Sequence, residues 1–213
     1  MLKSPVIAIA ALLPLPLLAG DAGRAGDWQI GPIIDGRNYS VGMPLRPAES
    51  RAGWYFEFPQ PSAADGHVHY LTMPVSSLRG AKAIRLRYRI DAEPGVRFVP
   101  QEFADREATL SLYFQRRGDN WRAKGPRQFF RWYSPADAVV PIKPGEHTLT
   151  ITMQQEWISV YGQARSQALP AFEDALAQAG RVGFTLGSEG GRGHGVFATG
   201  PARMTVLDFQ IIR

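Results

Sequence analysis

The chain has 213 residues, no cysteine, and a formal net charge of +5, with a pI near 9.7. The missing cysteine excludes disulfides, thiolate catalysis, cysteine-based zinc sites and lipid attachment at a signal-proximal Cys. The positive balance suits anionic partners such as an acidic polysaccharide, lipopolysaccharide phosphate or a membrane surface, and without a nucleic-acid motif no nucleic-acid partner is expected.

Residues 1–22 read as an export signal and 23–213 as a single β-sandwich domain. Lys3 supplies a positive start, Val6–Leu18 is apolar without a charge, and Gly20-Asp21-Ala22 offers small residues at the usual two positions before a cut. The apolar run is too short to span a bilayer, and Pro14 and Pro16 would break a membrane helix. Cleavage is expected between Ala19 and Ala25, leaving no integral membrane span and a periplasmic or extracellular product. A cut after Ala22 removes Lys3 and Asp21 and leaves the net charge at +5.

The remaining chain is patterned as a β protein. Its 22 glycines and 17 prolines are spread as punctuation rather than gathered in a linker. Asp27–Ser50 reads as extended segments with turns at Asp35-Gly36 and Pro44. Trp54–Phe58 and His67–Met73 read as short strands, each stopped by proline. Ala83–Ile90 is the clearest strand: Ile84, Leu86, Tyr88 and Ile90 point one way, Arg85, Arg87 and Arg89 the other. Thr109–Gln115 repeats the alternation with Leu110, Leu112 and Phe114 inward, and Thr148–Met153 with Leu149, Ile151 and Met153. Trp157–Tyr161, Val182–Leu186, Val196–Ala198 and Met204–Ile212 complete the set. One helix is predicted, over Pro170–Ala179, with Pro at its first position and Phe172, Ala175, Leu176 and Ala179 in one apolar stripe. About ten half-buried strands and one short crossover helix predict an all-β fold, an antiparallel sandwich of jelly-roll type.

The stretch Tyr113–Tyr133 stands out. It holds seven aromatic rings and six Lys or Arg in 21 residues. It reads as two antiparallel strands joined by a connection carrying Asp119, Asn120 and Trp121. Gly118-Asp119-Asn120 is a turn signal that would push Trp121 toward solvent. Phe130 and Trp132 alternate with Arg131 and Tyr133, so one pair faces the core. Most of these rings are expected to pack inside. The functional reading is a ligand platform with rings Trp121, Trp132 and Tyr133 and polar neighbours Asp119, Asn120 and Arg122.

Three other patterns are candidates. Arg85, Arg87 and Arg89 stand about 7 Å apart on one sheet face. Either carboxylates on neighbouring strands or an anionic ligand gripped by the guanidinium forks would cover them. His67 and His69 have the His-x-His spacing of two strand-borne metal ligands, as in cupins, but Met73 and Pro74 stand near the place where a cupin would carry Glu. Solvent-facing or hydrogen-bonded histidines are the plainer reading. Gly187–Gly195 holds five glycines without the Lys-Ser/Thr of a P-loop, which predicts a mobile hairpin loop rather than a phosphate cradle.

Val182-Gly183-Phe184-Thr185-Leu186-Gly187, then the glycine-rich loop, Gly193-His194-Gly195-Val196 and the strand ending Leu207-Asp208-Phe209 resemble the closing strands of galactose-binding-like jelly rolls. Pro144-Gly145-Glu146-His147, the strand after it and Trp157 fit that layout, so the resemblance covers Ala83–Arg213. It implies sugar binding through aromatic rings and, in many such modules, a structural Ca²⁺; no other cofactor is expected. The expected function is thus an exported, non-catalytic carbohydrate-binding protein whose ligand is anionic if polymeric. The alternatives are a carbohydrate-active hydrolase or lyase, a cupin-like metal protein, and a structural or assembly protein of the cell envelope. Glycosidase chemistry needs two facing carboxyls, and nothing in the spacing of Glu57, Glu102, Asp119, Glu156 and Asp208 pairs them.

Overall fold

The computed structural model describes residues 23–61 and 68–213. The expected export signal, together with His67, lies outside the described residues. Among the described residues no helix is long and apolar enough to cross a membrane. The strands of the N-terminal half are β1 (Gln29–Gly31), β2 (Ile33–Ile34), β3 (Arg37–Asn38), β4 (Ala48–Ser50), β5 (Gly53–Glu57), β6 (His69–Pro74), β7 (Ala83–Ala92) and β8 (Phe98–Pro100). Next come β9 (Ala108–Arg116), β10 (Arg131–Tyr133), β11 (Val140–Pro141), β12 (Gly145–Thr152) and β13 (Ile158–Ser159). Helix α1 (Leu169–Ala177) precedes β14 (Ala179–Ser188), β15 (Val196–Ala198) and β16 (Ala202–Ile212).

The fold is all-β and antiparallel with one short α-helix, as the alternation predicts. A seven-stranded sheet runs β1-β6-β14-β9-β10-β13, with β11 also on β9; a five-stranded sheet runs β12-β7-β16-β5-β4. Their inner faces are apolar because the alternating side chains of the long central strands stay in register across each sheet. Leu71, Phe184 and Leu112 line up across β6, β14 and β9. Leu149, Leu86 and Phe209 do so across β12, β7 and β16. Ile84, Leu86, Leu110, Leu112, Phe114, Leu149, Ile151, Val182, Phe184 and Leu186 are all buried in one core. Removing each large aliphatic from water contributes about 1.5–3 kcal/mol. Trp28 and Trp54, with ring centroids 4.6 Å apart, fill the space between the sheets against Phe184 and Phe209.

Two expectations need correction. The helix ends at Ala177, not Ala179, because Ala179 already pairs with Arg116 as the start of β14. Gly180 lies inside β14. A Cβ there would lie 2.5 Å from the Arg117 Cγ, so glycine permits the two strands' close approach. Trp157 is no strand residue either; its indole is buried and donates to the Thr152 carbonyl at 2.9 Å, and only Ile158–Ser159 pair. Helix α1 covers the inner face of β9 and β10, with Phe172 edge-on to Trp132 at 5.0 Å and to Phe114 at 5.6 Å.

Candidate functional site

The same alternation that builds the core sends a second set of side chains outward from the seven-stranded sheet. Tyr70 and Thr72 on β6 point out, as do Arg181 and Thr185 on β14, Ser111, Tyr113 and Gln115 on β9, and Arg131 and Tyr133 on β10. Tyr70, Tyr113 and Tyr133 form a second buried cluster, separate from the core, with Trp121, Ile158 and Val160 packed against it. The Tyr70 and Tyr133 hydroxyls are hydrogen-bonded at 2.7 Å. The buried Tyr113 hydroxyl has no partner among the described residues. Burial raises the pKa of all three phenols, so they are neutral hydrogen-bonding groups rather than bases.

The Tyr113–Tyr133 segment folds as two paired strands, and its connection is held by one carboxylate. Asp119 accepts from the Gln115 amide at 2.8 Å and from the Trp121 backbone N–H at 3.1 Å. Its Oδ2 also lies 3.0 Å from the Arg131 Nε, an ion pair off the hydrogen-bond line. Burial works to lower the Arg131 pKa; Tyr133, Tyr113, Tyr70 and Asp119 outweigh it and raise the value. At neutral pH the tyrosines are uncharged, so Asp119 supplies the countercharge. The Asp119 bond to its N–H holds Trp121 at φ +65°, a left-handed conformation that side chains of this kind rarely take, and Ala123 takes one too at φ +49°. Trp121 is half-buried, edge-on to Tyr70 at 5.0 Å and beneath the Arg131 guanidinium at 5.0 Å.

Three hollows adjoin around this ridge. One, of 290 Å³, is lined by Gln29, Thr72, Gln115, Arg117, Trp121 and Arg181 among others. A second, of 640 Å³, is bounded by Tyr70, Tyr133, Arg106, Arg192, His194 and Tyr161. The third, of 570 Å³, brings together Asp119, Asn120, Trp121 and Arg122 against Ile33–Asp35. Tyr161, 69% exposed, stands at the mouth of the second.

The expected platform is thus only partly assembled. Asp119, Asn120, Trp121 and Arg122 come together, and Tyr133 lines the second hollow from below. Trp132 does not join them. It is fully buried on the core side, its indole donating to the Phe129 carbonyl at 2.8 Å. The pairing of Trp132 with Phe114 puts it on the inner face, which corrects its assignment as an open ring. The arginine row on β7 is on the far side of the sandwich and is covered by protein groups. Arg85 meets Asp208 at 3.2 Å and Gln210 at 2.7 Å, Arg87 meets Glu146 at 2.8 Å, and Arg89 meets Asp91 at 3.0 Å. Arg85, Arg87 and Arg89 therefore cannot act jointly with the basic cluster of the β9–β10 segment.

The histidines are separated too. His69 is buried and its Nδ1 accepts from the Val196 N–H at 3.1 Å. His147 stacks on Tyr88 and His194 pairs with Glu102. Among the described residues no group of three or more His, Asp or Glu could hold a metal ion. The glycine-rich loop is tied down rather than loose. The Gly193 carbonyl accepts from the His69 N–H at 2.8 Å, and a Cβ on Gly193 would lie 2.5 Å from the Tyr70 ring. Only glycine lets the loop lie on that ring and carry Arg192 into the second hollow. Sequence reading missed Tyr70, Arg181 and Arg192. The first two alternate with the core residues Leu71 and Val182, a signal of outward position that was available. Arg192 had no such signal.

An antiparallel β-sandwich with a tyrosine- and arginine-lined cleft on one outer face is the class of molecule these features define. No protein-family model matches the chain, and no curated protein matches it. The chain is distantly similar to a solved structure, a xylan-binding module CBM15, at 15% identity and a TM-score of 0.38, covering 87% of this chain and 94% of that one.

Proposed function

We propose that this is an exported, non-catalytic carbohydrate-binding protein that takes a sugar chain along the outer face of the seven-stranded sheet. Acidic polysaccharide or lipopolysaccharide is the expected class. The observation that carries the reading is the cleft itself: rings at Trp121 and Tyr161 beside hollows edged by guanidinium, amide and hydroxyl groups. Sugar C–H faces pack on rings while polar neighbours take hydroxyls. The neutral tyrosines support binding over base catalysis. Export rests on the pattern of residues 1–22.

The test is retention on immobilised alginate, lipopolysaccharide and a neutral glucan across a salt gradient. Retention on the acidic supports should exceed that on glucan and fall with salt. Trp121→Ala and Tyr161→Ala should each weaken binding about tenfold, the loss of roughly 1.4 kcal/mol. Equal retention on all three supports at every salt concentration would remove the acidic class, and no retention on any would sink the carbohydrate reading.

A further inference from the structure

The cleft arginines differ in what neutralises them. Arg131 has Asp119, and Arg116 has Asp174 at 3.2 Å. Five others have no carboxylate within ion-pair distance among the described residues; Arg122 is the single arginine of the third hollow, and the other four fall into two pairs. In the second hollow Arg192 is only 9% exposed. Its Nη1 donates to the Ser134 carbonyl and lies 3.5 Å from the Ser111 hydroxyl, while Nε and Nη2 have no protein partner among the described residues. Arg106, at the rim, donates to the Glu189 carbonyl at 2.6 Å and covers Phe103. In the first hollow Arg181 is half-buried and held by Thr72, through the hydroxyl at 2.8 Å and the carbonyl at 3.0 Å. Arg117 donates to the Ser76 and Ala179 carbonyls at 2.7 and 3.1 Å.

Each pair thus joins a desolvated guanidinium to an exposed one, both anchored by carbonyls rather than by counter-ions. Burial lowers the pKa of Arg181 and takes that of Arg192 down to about 10, so both remain charged at neutral pH. A buried charge without a counter-ion is costly, and an anion arriving in the hollow would offset that cost. Glu189 lines the second hollow but its carboxylate is not within ion-pair distance of Arg192, and Asp119 in the first is already neutralised.

We propose that the two arginine pairs, Arg106 with Arg192 and Arg117 with Arg181, are two separate carboxylate subsites, and that the ligand is an oligouronate long enough to occupy both. This rests on the carbohydrate reading above. Arg181 lies in register with Gln115 on β9, and Arg192 reaches Ser111 on the same strand. Four residues of strand put the subsites about 13 Å apart, longer than one pyranose ring. Two anion sites along one groove call for a chain that carries charge on repeated units, as a polyuronate does. The planar fork matches a carboxylate in bidentate fashion at Arg192 and Arg117, which spend only Nη1 on protein groups, while Arg181, its Nε and Nη2 held by Thr72, adds a single Nη1 donor. The Trp121–Tyr70 ridge between the hollows would lie under the intervening sugar.

The test is calorimetric titration of the full chain with oligogalacturonates and oligomannuronates from monomer to hexamer, and with the same oligomers after reduction of their carboxyls. Affinity should rise steeply once the oligomer spans both hollows, and the reduced oligomers should bind at least about 100-fold more weakly. Arg181→Gln and Arg192→Gln should each cost about 10- to 100-fold and abolish the step with length. If Arg192→Gln does not fold, Arg192→Lys and the comparison of native with reduced oligomers on the unaltered protein decide the matter. Reduced oligomers binding as well as native ones, with Trp121→Ala abolishing both, would overturn the subsites and leave the carbohydrate reading standing. Binding to none of the glycans would overturn both.

Discussion

Both outer faces of the sandwich carry arginines, and they differ in what the neighbouring strands supply. On the five-stranded sheet, Arg85, Arg87 and Arg89 each find a carboxylate, from Asp208, Glu146 and Asp91. On the seven-stranded sheet the neighbours are tyrosine, serine, threonine and glycine, and only Arg131 and Arg116 find one. The first face is neutralised by its own sheet, while the second keeps cations in hollows. The lesson is that an arginine row by itself does not mark a site; its neighbours across the ladder do.

Five substitutions and one titration break or sharpen that contrast. The largest effect is expected at Asp119, whose side chain is fully buried with Arg131 8% exposed beside it. Asp119→Ala leaves that cation unpaired and should cost about 3–5 kcal/mol in denaturant unfolding. It should also weaken sugar binding by freeing Trp121. A loss below about 1 kcal/mol would place this pair on the same footing as the exposed pairs of the other sheet. Tyr133→Phe comes next. It strands the Tyr70 hydroxyl in a buried position and should cost about 1–3 kcal/mol.

The buried phenols also predict alkaline behaviour. Their folded pKas lie above the unfolded value, so their contribution is fully present below about pH 10 and is lost as pH rises through the folded pKas. Arg192, lowered to about 10, and Arg181, also lowered by burial, act in the opposite sense: the cost of their buried charge is relieved as pH rises. Three phenols against two guanidiniums give a net fall, which Tyr113→Phe should make shallower; a pH-independent unfolding midpoint from about pH 9 to 11 would contradict the assignment. The smallest effect belongs to the other face. Arg87→Ala and Arg89→Ala remove exposed pairs and should each change stability by about 0–1 kcal/mol, with retention on alginate unchanged. Loss of that retention would move the site to the five-stranded sheet.

The strands were legible because burial on one face imposes a period of two, and Ile84, Leu86, Leu110, Leu112, Val182 and Phe184 keep it without interruption. Sheet membership was not legible, since strand pairing joins residues as distant as Arg85 and Gln210. The same limit governs the site. That Asp119, Asn120, Trp121 and Arg122 form one turn is local chemistry and could be read directly. That Trp132 turns inward while Tyr133 turns outward depends on which face of β9 meets the other sheet, and the alternation alone allowed either.

By itself the sequence determined an all-β chain, its alternating core positions, one short helix and a polar turn at Asp119, because each follows from local periodicity or local hydrogen bonding. Only the tertiary structure decided which cations are neutralised. Arg85 and Arg192 look alike in sequence, but one is carried beside Asp208 by an antiparallel partner strand. The other is laid over Tyr70 by a loop that needs Gly193, and opposite serines rather than carboxylates. Electrostatic pairing is set by distances of a few ångströms between residues far apart in the chain, and those distances exist only once distant strands have paired and the loops have been laid across each sheet.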